Sequence, residues 1–208
     1  MRTMIWSLAA ALGLAALPCA TLPLAAQNPA GGRGGGRGGA ARRPAIQVMT
    51  LTSDWKDGGV IPQKHSQPGR DVSPALSWST APAGTASFVL LVHDVDSPLG
   101  NGLDDVLHWL VWDIPASATS LPEGIPADAN LPDGSRQISI SGPYYRGPAA
   151  PASGPVHHYM FELFALDTVV SVPAVGAPPA ATRAAVAMAM GGHIRGKATL
   201  VGVYRRPD

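Results

Sequence analysis

Past residue 85 the chain alternates between short apolar runs and stretches rich in turn-forming residues. Five runs read as strands, dense in Val, Ile, Phe, Tyr and Trp: 88–96 (FVLLVHDVD), 106–114 (VLHWLVWDI), 136–142 (RQISISG), 157–166 (HHYMFELFAL) and 197–204 (KATLVGVY). Between them lie Pro- and Gly-rich segments such as 113–134 and 142–155. One segment follows another grammar. Residues 178–192 (PPAATRAAVAMAMGG) open on prolines, continue in alanine and methionine, and stop at two glycines, which predicts a helix of about ten residues. The pattern predicts a mostly antiparallel β domain with one or two late helices and no internal repeat.

Side-chain alternation then assigns faces. Leu90, Val92, Asp94 and Asp96 fall on one side of the first run, and Val89, Leu91, His93 and Val95 on the other. In the second run Val106, His108, Leu110 and Trp112 share a face; in the fourth, His157, Tyr159, Phe161 and Leu163 do. Carboxylates are rarely buried without partners, so Asp94 and Asp96 belong where the sheet opens and donors are near. Pro98 and Gly100 then turn the chain. Three strands thus bring polar groups to one end: Asp94 with Asp96, His108, and His157 with Tyr159. A lone buried histidine is ordinarily a satisfied core residue, and alternation does not give the strand order on which convergence depends.

The first 26 residues change the picture. Arg2, the apolar run MIWSLAAALGLAALP and a small-residue site after Ala26 compose a secretory leader. Pro18 and Pro23 interrupt the run and argue against a spanning helix. Cys19, the single cysteine, follows Pro18 where a lipid-modification signal calls for a small residue; the mature chain is expected to have neither disulfide nor thiolate metal site. Residues 27–45, with GGRGGGRGGAARRP at 31–44, lack large apolar side chains and read as a flexible basic tether, with at most weak contact to an anionic surface. Residues 46–208 form one domain. It holds all fourteen acidic residues against ten of the fifteen basic ones, a net charge near −4 where the whole chain is +1. That balance argues against a nucleic-acid-binding face, and the expected location is periplasmic or secreted.

The stretches 71–98, 108–124, 142–167 and 189–206 resemble the phosphatidylethanolamine-binding protein family, in particular its bacterial branch described as Raf kinase inhibitor-like. The resemblance runs from about Ile46 to Arg206. The family's Asp-Pro-Asp-x-Pro pattern stands here as Asp94-Val95-Asp96-Ser97-Pro98, its His-Trp strand as His108-Trp109, and its His-Arg-Tyr signature as His157-His158-Tyr159, preceded by the Gly-Pro-rich loop 142–155. The resemblance implies a central antiparallel sheet, a second smaller sheet and C-terminal helical segments. It also implies a small pocket at one sheet end that takes anions, lined by Asp94, Asp96, Pro98, His108, Gly147, Pro148, His157 and Tyr159. Two departures stand out: Val95 replaces a proline, and His158 replaces an arginine whose bidentate pairing a histidine does not reproduce.

Chemistry suits such a pocket. Imidazole and the Tyr159 hydroxyl can donate to phosphate oxygens. Asp94 can orient His108 or His157, while Asp96 is expected to anchor the local turn through backbone N–H groups. Gly147 permits close backbone approach and Pro148 stiffens the wall. The leading reading is an exported, non-catalytic module for a phosphate or phospholipid head group, without cofactor or metal. The alternatives are an inhibitor that docks a hydrolase or protease on the pocket rim, and a metal-dependent enzyme built on Asp94, His108 and His157. The latter lacks the usual local ligand spacings, and no nucleophile elbow is present. Glu162 falls on the face opposite His157. Asp104 and Asp105 read as a solvated turn, His193 as a helix-end cap, Trp78, Trp109 and Trp112 as core, and His65 and Arg70 as polar loop residues without interpretable signal.

Overall fold

The computed structural model of the protein describes residues 45–99 and 104–208. The leader and nearly all of the tether, and Gly100 at the expected turn, lie outside the described residues. Ten strands and one α-helix follow in order among the described residues: β1 (Gln47–Val48), β2 (Leu51–Thr52), β3 (Gly59–Val60), β4 (Leu76–Trp78), β5 (Ser87–Leu99), β6 (Asp104–Pro115), β7 (Ser120–Leu121), β8 (Arg136–Ile138), β9 (His157–Leu166), α1 (Pro179–Met190) and β10 (Ile194–Tyr204). A 3-10 turn occupies Gln63–His65.

The long strands form the larger sheet in the order β1-β10-β9-β5-β6-β8, with β3 also on β10. Neighbouring long strands are antiparallel, whereas the two-residue strands β1 and β3 run parallel to β10. The smaller sheet is β2-β4-β7. Its Leu51, Leu76, Trp78 and Leu121 share a core with Leu90, Val92, Trp109, Phe161 and Leu163 of the larger sheet. On the other face Val89, Leu110, Trp112 and Leu166 pack with Val186 and Met190 of α1. The larger sheet is thus covered on both sides, and each large side chain so buried contributes roughly 1.5–3 kcal/mol. The proline at the first turn of α1 and the Gly191 stop place this helix where its punctuation predicted.

Bulges correct the simple alternation. Val92 faces Trp109 while His93 faces Leu107, so His108 is an extra residue in β6. Leu107, Leu110 and Trp112 therefore belong to the α1 side, and His108 does not share a face with Leu110 and Trp112 as strict alternation required. A second irregularity lies between Asp94 and Pro98, which pair with Val106 and Asp105. Residues 95–97 bow out there, which breaks the expected common face of Asp94 and Asp96. A third coincides with Asp113, at φ 58°, whose carboxylate accepts from Val170 N–H at 2.8 Å and from Arg136. The expected strand at 136–142 ends at Ile138, because Ser139 and Gly142 close a tight turn. Asp104 and Asp105 open β6 instead of forming a solvated turn, since His93 and Arg183 compensate Asp105.

Candidate functional site

β5, β9 and β6 meet at the end of the sheet where the residue pattern pointed. Asp94 pairs across β9 with Tyr159. Its side chain is almost wholly buried and makes three hydrogen bonds. Oδ1 accepts from the N–H of Asp96 at 3.0 Å; Oδ2 accepts from Ser97 Oγ at 3.1 Å and from His157 Nδ1 at 2.8 Å. Asp94, not Asp96, is therefore the residue that ties the local turn. Asp96 reaches across to β9, where one oxygen accepts from the His158 backbone N–H at 2.6 Å and ring Nδ1 at 2.8 Å. Burial opposes charge on Asp96, but these bonds outweigh it and hold its pKa below the usual value.

The His108 bulge turns its ring onto the Tyr159 side. The two rings stack edge to face at 5.0 Å, and His108 Nδ1 donates to the Arg146 carbonyl at 2.5 Å. His108 thus bonds to the loop and not to Asp94. Burial pushes its pKa below the usual value, against the opposing pull of the Arg146 carbonyl and the charge of Asp94, so the ring is neutral at neutral pH. Tyr159 is buried, and its hydroxyl oxygen accepts from the Ala149 N–H at 3.3 Å. Burial, then the charge of Asp94, pushes the phenol well above its usual pKa, so it keeps its proton.

Gly147 and Pro148 form a buried wall beside these rings. The need for glycine is local. A Cβ at Gly147 would lie 2.1 Å from the His65 carbonyl oxygen and 2.8 Å from Asp71 Oδ1. The same loop is docked by Asp71, which accepts from the Gly147 N–H at 2.6 Å and from Arg146 Nη1 at 3.0 Å. Gln67 adds bonds to the carbonyls of Gly147 at 2.8 Å and Pro148 at 3.0 Å. Pro98 is exposed, pairs with Asp105 at the rim, and makes no side-chain hydrogen bond to the group. The structure therefore brings Asp94, His108, His157, Tyr159, Gly147 and Pro148 together, with Asp96 and Pro98 at the edge.

Several contributors were illegible in sequence. Asp71 adopts φ 54° and acts on a loop 75 residues away, so no local pattern marks it. His65 is fully buried rather than a loop residue: its ring bonds the Val72 carbonyl at 2.8 Å and its own carbonyl accepts from Tyr145 Oη at 3.0 Å. Ser97 stands inside the quoted Asp94–Pro98 pattern, but alternation turns it away from Asp94, and only the bulge brings it back. Its Oγ lies 3.3 Å from His157 Nδ1, the nitrogen already held by Asp94. A nucleophile in a triad would occupy the other ring nitrogen, so this arrangement orients His157 without activating Ser97. His193, expected to cap carbonyls at the helix end, does so through its backbone N–H, 3.0 Å from the Met190 oxygen, while its ring pairs with Asp167 at 2.8 Å.

Among the described residues, the carboxylate and imidazole group with ligand atoms all within 4.8 Å of one another is Asp54, His65 and Glu123. Lys64 already pairs with both of its carboxylates, 3.0 Å from Asp54 and 2.6 Å from Glu123. Clefts of about 350 and 300 Å³ lie along α1, on the opposite face of the sheet from Asp94. The Asp94 group stands out by its chemistry, not by volume.

Residues 51–205 match the family described as phosphatidylethanolamine-binding protein. The chain belongs to this family. It is 40% identical over 157 residues to a UPF0098 protein of Methanothermobacter thermautotrophicus, covering 74% of this chain and 97% of that one. Similarity to LppC of Mycobacterium tuberculosis is 34% over 207 residues, covering 90% and 95%. The crystal structure of CT736 from Chlamydia trachomatis, described as a homologue of the family, is 32% identical with a TM-score of 0.63, covering 77% of this chain and 99% of that one. The family assignment made on the Asp94–Pro98, His108–Trp109 and His157–Tyr159 motifs is thereby established, together with the two-sheet fold it implied.

Proposed function

We propose that the protein is an exported, non-catalytic binding module that holds a small oxyanion, phosphate or a phospholipid head group, between His108 and His157. The observation that carries this reading is the open pair of imidazoles. Each ring is fixed through Nδ1, by the Arg146 carbonyl or by Asp94, and neither Nε2 has a partner among the described residues. Two oriented rings, a protonated phenol and a rigid Gly-Pro wall supply recognition groups. Ser97 and Asp94 share one ring nitrogen, which supports binding without turnover. Export is supported by the leader-like first 26 residues and by LppC, whose name describes a lipoprotein.

Titration calorimetry with inorganic phosphate tests the site. Phosphate binding to the wild type should fall at least about tenfold in both His108→Ala and His157→Ala, the scale expected for loss of one charge-assisted contact. Unchanged affinity in two folded variants would overturn the assignment. Mass spectrometry of the exported protein should find an N-terminus near Gln27; a lipidated Cys19 would replace release with anchoring, and an intact Met1 would remove export.

A further inference from the structure

A second cleft, between α1 and the larger sheet, lies on the opposite face from Asp94. Its volume is about 300 Å³, at the small end of the range for small-molecule sites, about 300–1,000 Å³. Leu91 of β5, Phe164 of β9, Met190 of α1 and Ile194 of β10 line it, over a buried floor of Val89 and Leu110. Such walls take an apolar chain out of water, and each methylene so moved tightens binding about threefold.

One charged side chain, Arg183, belongs to this lining, and with Ala187 it also lines the neighbouring cleft of about 350 Å³. Arg183 Nη1 pairs with Asp105 and lies 3.7 Å from Asp104. Its Nη2 and Nε have no partner among the described residues. They are not sealed in either, since the buried side-chain nitrogen and oxygen atoms left without a partner are Trp78 Nε1, Thr182 Oγ1 and Tyr204 Oη. Lys197, the other cation nearby, pairs with Glu162 at 2.5 Å and sits 5.1 Å over the Phe164 ring. Carboxylates thus already match both positive charges, while N–H donors remain on the guanidinium.

This combination selects the head group of a ligand. The open donors call for an acceptor. A carboxylate head would supply one but would be drawn beside Asp104 and Asp105, and an ammonium head would meet Arg183 with no acceptor to offer. We infer that the cleft is a second ligand site, for neutral acyl compounds: an aliphatic chain of about eight carbons fills the apolar part, and its uncharged carbonyl oxygen accepts from Arg183. The site is independent of oxyanion binding at His108 and His157.

Titration calorimetry of the full-length exported protein at about pH 7.5 should compare octanamide, octanoate and octylammonium, whose heads are neutral, negative and positive there. Octanamide should bind about tenfold or more tighter than either ion, the scale of one mismatched polar contact. Hexanamide should bind about tenfold more weakly than octanamide, for two methylenes lost. Arg183→Met keeps the apolar stem, removes the donors and should cost octanamide about tenfold. Ala187→Trp adds bulk to the lining from an exposed helix position and should cost about tenfold or more, with phosphate affinity unchanged within roughly twofold. Methyl NMR should show octanamide shifting Leu91, Met190 and Ile194. Octanoate binding as tightly as octanamide, or full octanamide affinity in folded Arg183→Met, would overturn the neutral-carbonyl assignment. No octanamide binding to the wild type, full affinity in Ala187→Trp, or shifts confined to other methyls would remove the site. Phosphate titration of the same samples reports on His108 and His157 separately, so failure here leaves that reading intact.

Discussion

His93 and Asp94 are adjacent in β5, yet their side chains live in opposite settings. On the α1 face His93 uses both ring nitrogens, bonding Asp105 at 2.5 Å and Glu162 at 3.3 Å. Asp105 also pairs with Arg183 of α1, and Glu162 with Lys197 of β10 at 2.5 Å. Every charge there has a local counter-charge, and the network ties helix to sheet. On the other face Asp94 orients His157 but leaves its Nε2 open, and His108 is held the same way by a carbonyl. The same residue types make a closed ion-pair network on one side and an unfinished hydrogen-bond set on the other. Unfinished valence, not the presence of His and Asp, marks the candidate site.

The largest expected effect is on the open side. Asp94→Ala strands the Asp96 N–H and the His157 ring, and should cost about 3 kcal/mol in urea unfolding while abolishing phosphate binding. Retained binding would show that His157 needs no carboxylate to orient it. Gly147→Ala comes next. The added methyl meets the His65 carbonyl, and overpacking of this kind costs about 2 kcal/mol. It should weaken phosphate binding as well, through displacement of the Arg146 carbonyl.

Glu162→Gln probes the closed side, with an expected loss of about 1–2 kcal/mol at pH 6 and phosphate affinity unchanged within roughly twofold. A large affinity loss in a folded protein would break the contrast between the faces. Its pH dependence sharpens that contrast. Hydrogen bonding from His93, then from Lys197, outweighs burial and draws Glu162 to about 2. Its contribution is therefore complete above the ordinary Glu pKa of about 4.3 and is lost as pH falls towards the folded value. Burial opposes charge on His93, but Glu162 and Asp105 outweigh it and raise its pKa. That contribution is complete below about 6.5 and is lost as pH rises through the raised value. The stability difference between wild type and Glu162→Gln should therefore peak between about pH 4.5 and 6.5. A flat difference would mean that the pair is not charged as described.

The smallest effect is expected at His158→Arg, which restores the family's residue. Side chains of His158 and Asp96 are 50% and 39% exposed, so the change should move stability by less than about 0.5 kcal/mol.

Much of this was legible in the chain. Runs rich in Val, Phe and Trp located the long strands within a few residues, and the Pro-Pro and Gly-Gly bounds located α1. The Asp94, His108 and His157 motifs located the group. Alternation failed at His108, Asp96 and Ser97, because a bulge is a property of two paired strands and leaves no fixed mark in either one. It also missed the roles of His65 and Asp71, whose contacts with the 145–147 segment cross 75 to 80 residues.

Local composition by itself determined the elements, the punctuation of the helix, the acidic balance of the residues beyond Pro44 and the family to which the chain belongs. These follow from side-chain periodicity and from backbone preferences of Gly and Pro, which act over a few residues. Tertiary structure alone decided which histidine is satisfied and which is open. That depends on whether a second acceptor arrives from another strand or loop, and hydrogen bonds between distant segments exist only once the sheet has closed around them.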